Sequence, residues 1–82
     1  MQIEFKLPDI GMETDDKITV SFWHIEEDEE FETGDDILEV STSKVNLNIA
    51  APSTGKLIEI LAQEGDVVAV GDVIAIIETK DG

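Results

Sequence analysis

Lys44 is the side chain best placed to do chemistry in this sequence. It is a primary amine inside Val40-Ser41-Thr42-Ser43-Lys44-Val45-Asn46-Leu47, where a short reversal between two strand-like runs would lift it clear of the fold. An amine presented in that way suits acylation, which makes an amide and removes one positive charge. Competitors are few, because the chain has no cysteine, no arginine and one histidine. His24 follows Trp23 at the end of a predicted strand, with no nucleophile or second ligand at usable spacing, so packing is expected for Trp23 and an exposed or hydrogen-bonded ring for His24. The acidic run Glu26 to Glu30, continued by Glu32, Asp35 and Asp36, lacks the alternating oxygen ligands and central glycine of a calcium loop. It reads as a solvated face, and no metal site is assigned. A lysine in a turn is most often only a surface charge, so the elements around Lys44 decide its role.

Those elements are strands. Short Val- and Ile-rich runs alternate with Gly, Asp and Pro signals, and no segment sustains apolar residues at helical spacing for three turns. The predicted strands are Ile3 to Lys6, Lys17 to Trp23, Ile37 to Thr42, Val45 to Ala50, Gly55 to Ala62 and Val73 to Thr79, with shorter extended pieces near Phe31 and Val67-Val68. In Val45 to Ala50 the alternation of Val45, Leu47 and Ile49 against Asn46, Asn48 and Ala50 predicts one buried and one wet face. Pro8, Pro52, Gly11, Gly34, Gly55, Gly65 and Gly71 read as turn formers.

Composition bounds the rest. At 82 residues the chain is read as one domain spanning 1–82, and 41% hydrophobic content supports a folded core. Twenty acidic residues against five lysines give a formal charge of −15, which disfavours nucleic acid and anionic membrane partners. No apolar run approaches the roughly 20 residues that span a bilayer, and Met1 to Lys6 does not look like a signal peptide. With no cysteine, redox chemistry would require an added group. The expected compartment is the cytoplasm, or the mitochondrial matrix in a eukaryote.

The chain also repeats itself at an offset of about 37 residues, which lays Glu27-Asp28-Glu29-Glu30-Phe31-Glu32-Thr33-Gly34-Asp35-Asp36-Ile37 over Glu64-Gly65-Asp66-Val67-Val68-Ala69-Val70-Gly71-Asp72-Val73-Ile74. Each half alone would leave an apolar sheet face open, so two halves packed about a pseudo-two-fold axis are expected to close the core. The fold class is therefore all-β: a flattened barrel or sandwich of two four-stranded antiparallel sheets. Lys44 marks the tip of one half; Asp81 is its counterpart near the chain end, on the opposite side.

Four features together resemble the lipoyl domains of 2-oxo acid dehydrogenase complexes: the tip lysine, the Gly-Asp repeat, Ala51-Pro52-Ser53-Thr54-Gly55 after the second strand, and the opening Leu7-Pro8-Asp9-Ile10-Gly11. The stretch Gly34-Asp35-Asp36-Ile37-Leu38-Glu39-Val40 is similar to the segment that leads to the modified lysine in dihydrolipoamide acyltransferases. This family most often has Asp-Lys-Ala at the tip, whereas Ser43-Lys44-Val45 stands here. It usually has Gly-Asp where Asp28-Glu29 stands, which predicts a different turn near Asp28, since glycine takes positive φ without cost.

The resemblance implies a non-catalytic carrier with lipoate amide-linked to Lys44, flanked by the recognition residues Ser43 and Val45. It also implies that the loop Met12, Glu13, Thr14, Asp15 and Asp16 helps a partner enzyme choose its carrier. The implied partners are a lipoyl ligase or a lipoyl/octanoyl transferase, a thiamine-dependent decarboxylase, an acyltransferase domain and dihydrolipoamide dehydrogenase; the domain itself is expected to be a monomer. Two alternatives stand beside this reading: a biotin carrier, which usually has methionine on both sides of the lysine, and an unmodified module used only for protein interaction.

Overall fold

A computed structural model describes residues 1–10 and 17–79 of the chain. Eight strands make up the described residues: β1 (Gln2–Lys6), β2 (Ile18–Trp23), β3 (Glu30–Phe31), β4 (Asp36–Ser41), β5 (Asn46–Ala50), β6 (Gly55–Ile60), β7 (Val67–Val68) and β8 (Val73–Thr79). They form two four-stranded antiparallel sheets, ordered β1-β8-β6-β3 and β5-β4-β2-β7. The sheets face each other without closing into a barrel. The elements match the expected strands to within a residue or two at most ends.

The register makes the pseudo-two-fold explicit. β2 and β4 pair Thr19 with Ser41 and Phe22 with Glu39 across an irregularity after Val20. Their counterparts β6 and β8 pair Lys56 with Glu78 and Glu59 with Ile76 across an irregularity after Leu57. Even the loop bonds repeat. The Val20 and Gly65 amides donate to the Asp66 and Val20 carbonyls, as the Leu57 and Asp28 amides donate to the Glu29 and Leu57 carbonyls.

Alternation puts Val20, Ile37, Leu38, Val40, Leu57, Ile74, Ala75 and Ile77 between the sheets, all fully buried. Side chains in matched places often differ in size: Leu38 answers Ala75, Trp23 answers Ile60, and Ile18 answers Gly55. The two halves thus share a backbone plan and fill one core with complementary volumes. Trp23 completes it by donating its indole N–H to the Ala62 carbonyl at 2.8 Å, so its polar edge is satisfied where it is buried.

Three expectations need correction. The turn at Asp28 is not different: Asp28 adopts φ +73°, the same left-handed conformation as Gly65 at +93° in the other half. Asp is among the few side chains that tolerate this region. The Glu29 carboxylate accepts from the Glu26 amide at 3.0 Å, as the Asp66 carboxylate accepts from the Gln63 amide at 2.9 Å, so the longer acid serves the same turn. Gly55 is not a turn former but the first residue of β6, where a Cβ would collide with the Glu78 carbonyl oxygen across the sheet. Finally, the buried face of β5 fades toward the tip. Ile49 is buried and Leu47 half-buried, while Val45 is exposed, because it lies in the connection beyond the last cross-strand pair and not in β5.

The acidic run is also more than a solvated face. Glu27 accepts the Ile60 amide at 2.9 Å and, in the matched place, Glu64 accepts the Trp23 amide at 3.4 Å, so each crossing loop is tied through a carboxylate to the last residue of the other half's strand. Among the described residues no three potential metal ligands gather. No described helix is long and apolar enough to cross a membrane.

Candidate functional site

Lys44 lies at the tip of the β4–β5 hairpin. The last cross-strand pair is Ser41 with Asn46, leaving Thr42-Ser43-Lys44-Val45 as the connection. None of these four residues has a positive φ, so the turn is made without glycine. Thr42 builds it. Its amide donates to the Val45 carbonyl at 2.8 Å, and its hydroxyl donates to the same carbonyl at 3.1 Å. That hydroxyl oxygen also accepts the amides of Lys44 at 3.2 Å and Val45 at 3.1 Å. One side chain thereby satisfies the backbone groups that a four-residue reversal would leave to water.

Ser43, Lys44 and Val45 are all exposed. The lysine amine has no hydrogen-bond or ion-pair partner among the described residues. A long, unpaired amine on a hydroxyl-braced tip can enter another protein's active site without first breaking a contact of its own. Sequence reading found the lysine and its neighbours but missed Thr42, whose only sequence signal is a threonine two residues before a solvent-exposed lysine.

The other expected residues fall in different places. The loop Met12, Glu13, Thr14, Asp15 and Asp16 lies outside the described residues, as does Asp81. The flanks of that loop can be placed: β2 begins at Ile18, beside the Thr19–Ser41 pair that borders the tip, and Leu7 is bonded to the Gly71–Asp72 turn at the start of β8. The end of the molecule opposite Lys44 holds Met1 and Thr79, whose amide donates to the Met1 carbonyl at 2.9 Å in the place matched by Thr42 and Val45. His24 is remote from the tip. Its exposed ring is hydrogen-bonded through Nε2 to the Asn48 amide oxygen at 2.9 Å and meets the Phe22 ring edge-on, with centroids 5.2 Å apart.

Comparison with known proteins gives one matching family model, that of the biotin/lipoyl attachment family described as "Biotin-requiring enzyme", over residues 3–77. The dihydrolipoyllysine-residue acetyltransferase component of the pyruvate dehydrogenase complex from Corynebacterium glutamicum is 38% identical over 81 residues, covering 99% of this chain and 12% of that protein. The protein of the same description from Staphylococcus epidermidis is also 38% identical, with 99% of this chain and 18% of its own length covered. The chain therefore spans less than a fifth of these relatives. Among solved structures, the lipoyl domain of the 2-oxoglutarate dehydrogenase complex from Azotobacter vinelandii superposes with a TM-score of 0.72 at 29% identity, covering 93% of this chain and 95% of that one. A single-chain, multi-domain long-chain acyl-CoA carboxylase shares the fold, with a TM-score of 0.79 at 19% identity over 98% of this chain and 7% of its own.

Proposed function

The chain belongs to the biotin/lipoyl attachment family as a lipoyl domain, and from that premise we propose that Lys44 is its attachment lysine and that residues 1–82 act as one carrier domain for a 2-oxo acid dehydrogenase complex. The observation that carries this reading is the tip itself: an exposed, unpartnered amine on a turn braced by the Thr42 hydroxyl. Its Nζ attacks the carboxyl carbon of an activated lipoyl adenylate; the N–C bond forms as the bond to AMP breaks, and a proton leaves the nitrogen. Lipoate, once attached, supplies a dithiolane that is reduced as it takes up an acyl group. The chain contributes presentation. Thr42 holds the turn, Ser43 and Val45 frame the lysine, and the two-sheet body keeps the stem of the arm away from competing surfaces.

The domain does no catalysis of its own in this proposal. Tethered within a larger assembly, it would serve enzymes in succession, so each contact can be weak and brief because the arm's effective concentration is high. The partners are a lipoyl ligase or lipoyl/octanoyl transferase, a thiamine-dependent decarboxylase, an acyltransferase domain and dihydrolipoamide dehydrogenase. The domain works as a monomer in the cytoplasm, or in the matrix if the source is eukaryotic. Ser43 and Val45 in place of methionines favour lipoate over biotin.

The test is intact-mass measurement after incubation with a lipoate–protein ligase, lipoate and ATP, and in parallel with a biotin ligase, biotin and ATP. One lipoyl-sized addition that disappears in Lys44→Arg supports the proposal. A biotin-sized addition to Lys44 would replace lipoate by biotin, and no addition by either ligase would leave an unmodified interaction module.

A further inference from the structure

The pseudo-two-fold axis gives each position on one sheet a counterpart in the same backbone environment on the other, so differences between their outer faces are not dictated by the fold. The differences run one way. On the β1-β8-β6-β3 sheet the outward positions Glu4, Glu59, Glu78 and Glu30 are exposed carboxylates, with Lys56 among them. Their counterparts on the sheet that carries Lys44 are Asn48, Phe22, Ser41 and Val67, with Thr19 in place of the lysine. The exceptions are Glu39, which answers Ile76, and Asp36, which answers Val73. In a chain with 20 acidic residues out of 82, one sheet carries much less charge on its outer face than the other.

The same face also holds the one exposed ring among the described phenylalanines and tryptophan. Phe5, Trp23 and Phe31 are buried, whereas Phe22 is 51% exposed. Its ring is fixed edge-on against His24, which is tied to Asn48, so Phe22 projects from a pre-ordered platform. Ser41 pairs with Asn46 two residues from Lys44, making the face continuous with the tip. Beyond Phe22 and His24 it opens on a groove walled by Glu26, Glu27, Glu29 and Glu64.

We infer that this charge-poor outer face of β5-β4-β2-β7 is the surface by which the enzyme that attaches lipoate recognises the domain and selects Lys44 over the other lysines. The inference rests on the reading of Lys44 as the attachment site. Any attaching enzyme must tell Lys44 from Lys6, Lys17, Lys56 and Lys80, and beyond the framing residues Ser43 and Val45 it needs a wider surface to do so. The face does so, since Lys56, on the matched sheet, is set among carboxylates. The complementary partner surface has an apolar socket for Phe22, hydrogen-bonding groups opposite Asn48, Ser41 and Thr19, and basic side chains over the acidic groove. A second copy of the chain is excluded as the occupant by charge, because two bodies of −15 repel. Desolvating a neutral patch costs less than desolvating carboxylates, and an aromatic anchor at its centre is the usual source of contact energy.

The symmetry supplies the test. Phe22→Glu, Asn48→Glu and Ser41→Glu each install the side chain that the matched position already carries, so the fold should accept them. Glu59→Gln on the opposite sheet is the control. Initial rates of lipoyl addition by a bacterial lipoate–protein ligase, with lipoate and ATP, are followed by intact mass at varied domain concentration. Phe22→Glu is expected to raise KM for the domain at least ten-fold with kcat within two-fold, Ser41→Glu several-fold, and Glu59→Gln not at all, with melting temperatures checked for each variant. KM within two-fold of the parent for both Phe22→Glu and Ser41→Glu overturns this docking face while leaving Lys44 in place. Addition that persists in Lys44→Arg overturns the attachment site, and the face with it. Should Phe22→Glu unfold, Ser41→Glu and Asn48→Glu decide the question alone.

Discussion

Replacing Thr42 with valine removes one hydroxyl and leaves the shape of the side chain nearly unchanged, so it isolates the brace of the tip. Three hydrogen bonds end at Thr42 Oγ1, at 3.1, 3.2 and 3.1 Å. The Thr42 amide still reaches the Val45 carbonyl at 2.8 Å. Thr42 is half-buried. The freed amides of Lys44 and Val45 can turn to water, so each bond is worth the low end of the usual range, about 0.5 kcal/mol, and the three together about 1–1.5 kcal/mol. In a domain of this size that is a fall in melting temperature of roughly 5–10 °C. Urea and thermal unfolding followed by Trp23 fluorescence measure it, with Thr42→Ser as the variant that keeps the hydroxyl. Lipoyl addition should slow several-fold in Thr42→Val and recover in Thr42→Ser, because the defect lies in the presentation of Lys44. If valine and serine at position 42 agree within about 0.3 kcal/mol and in lipoylation rate, the hydroxyl does not hold the tip, and the account of the site is wrong.

Two further predictions concern the body that supports the tip. Gly55→Ala must push β8 away from the Glu78 carbonyl, and should cost about 2–3 kcal/mol as overpacking against backbone. A melting temperature within 3 °C of the parent would show that the sheet yields there. Asp28→Gly removes a side chain from a left-handed backbone at φ +73° and should stabilise by about 0.5–1 kcal/mol once the entropy of glycine is counted. Denaturant midpoints compare the two, and an unchanged or lowered midpoint would mean that Asp28 contributes a contact outweighing its strain.

The strands and the two-half plan were legible because alternation and Gly-Asp punctuation are local signals, and the repeat reported each of them twice. Lys44 was legible for the same reason: it falls between two alternating runs and nothing else in the chain competes with it. Thr42 was not, since a threonine before a turn is commonplace and its hydroxyl acquires three partners only when Ser41 and Asn46 close the hairpin. Gly55 was misread because the force that selects it is the approach of the Glu78 backbone, a contact between residues far apart in the chain. At Asp28 the backbone demand of the matched turn outweighed residue preference, and the turn kept its left-handed form without glycine. Glu27 looked like solvated charge because the amide that donates to it, that of Ile60, lies far along the chain in the other half. Phe22 gave no signal at all, for only comparison of the two sheets shows that an outward aromatic replaces a glutamate.

The unequal filling of the core bears on how molecules of this chain avoid one another while folding. A core built from two first halves would contain two Trp23, two Leu38 and two Ile18 side chains, and one built from two second halves would contain two Ile60, two Ala75 and two Gly55, where the native core has one of each. Both pairings lose, one to crowding and one to voids. The near-duplicate halves are thus keyed to each other, and exchange of like halves between chains is discouraged by size before charge has any part in it.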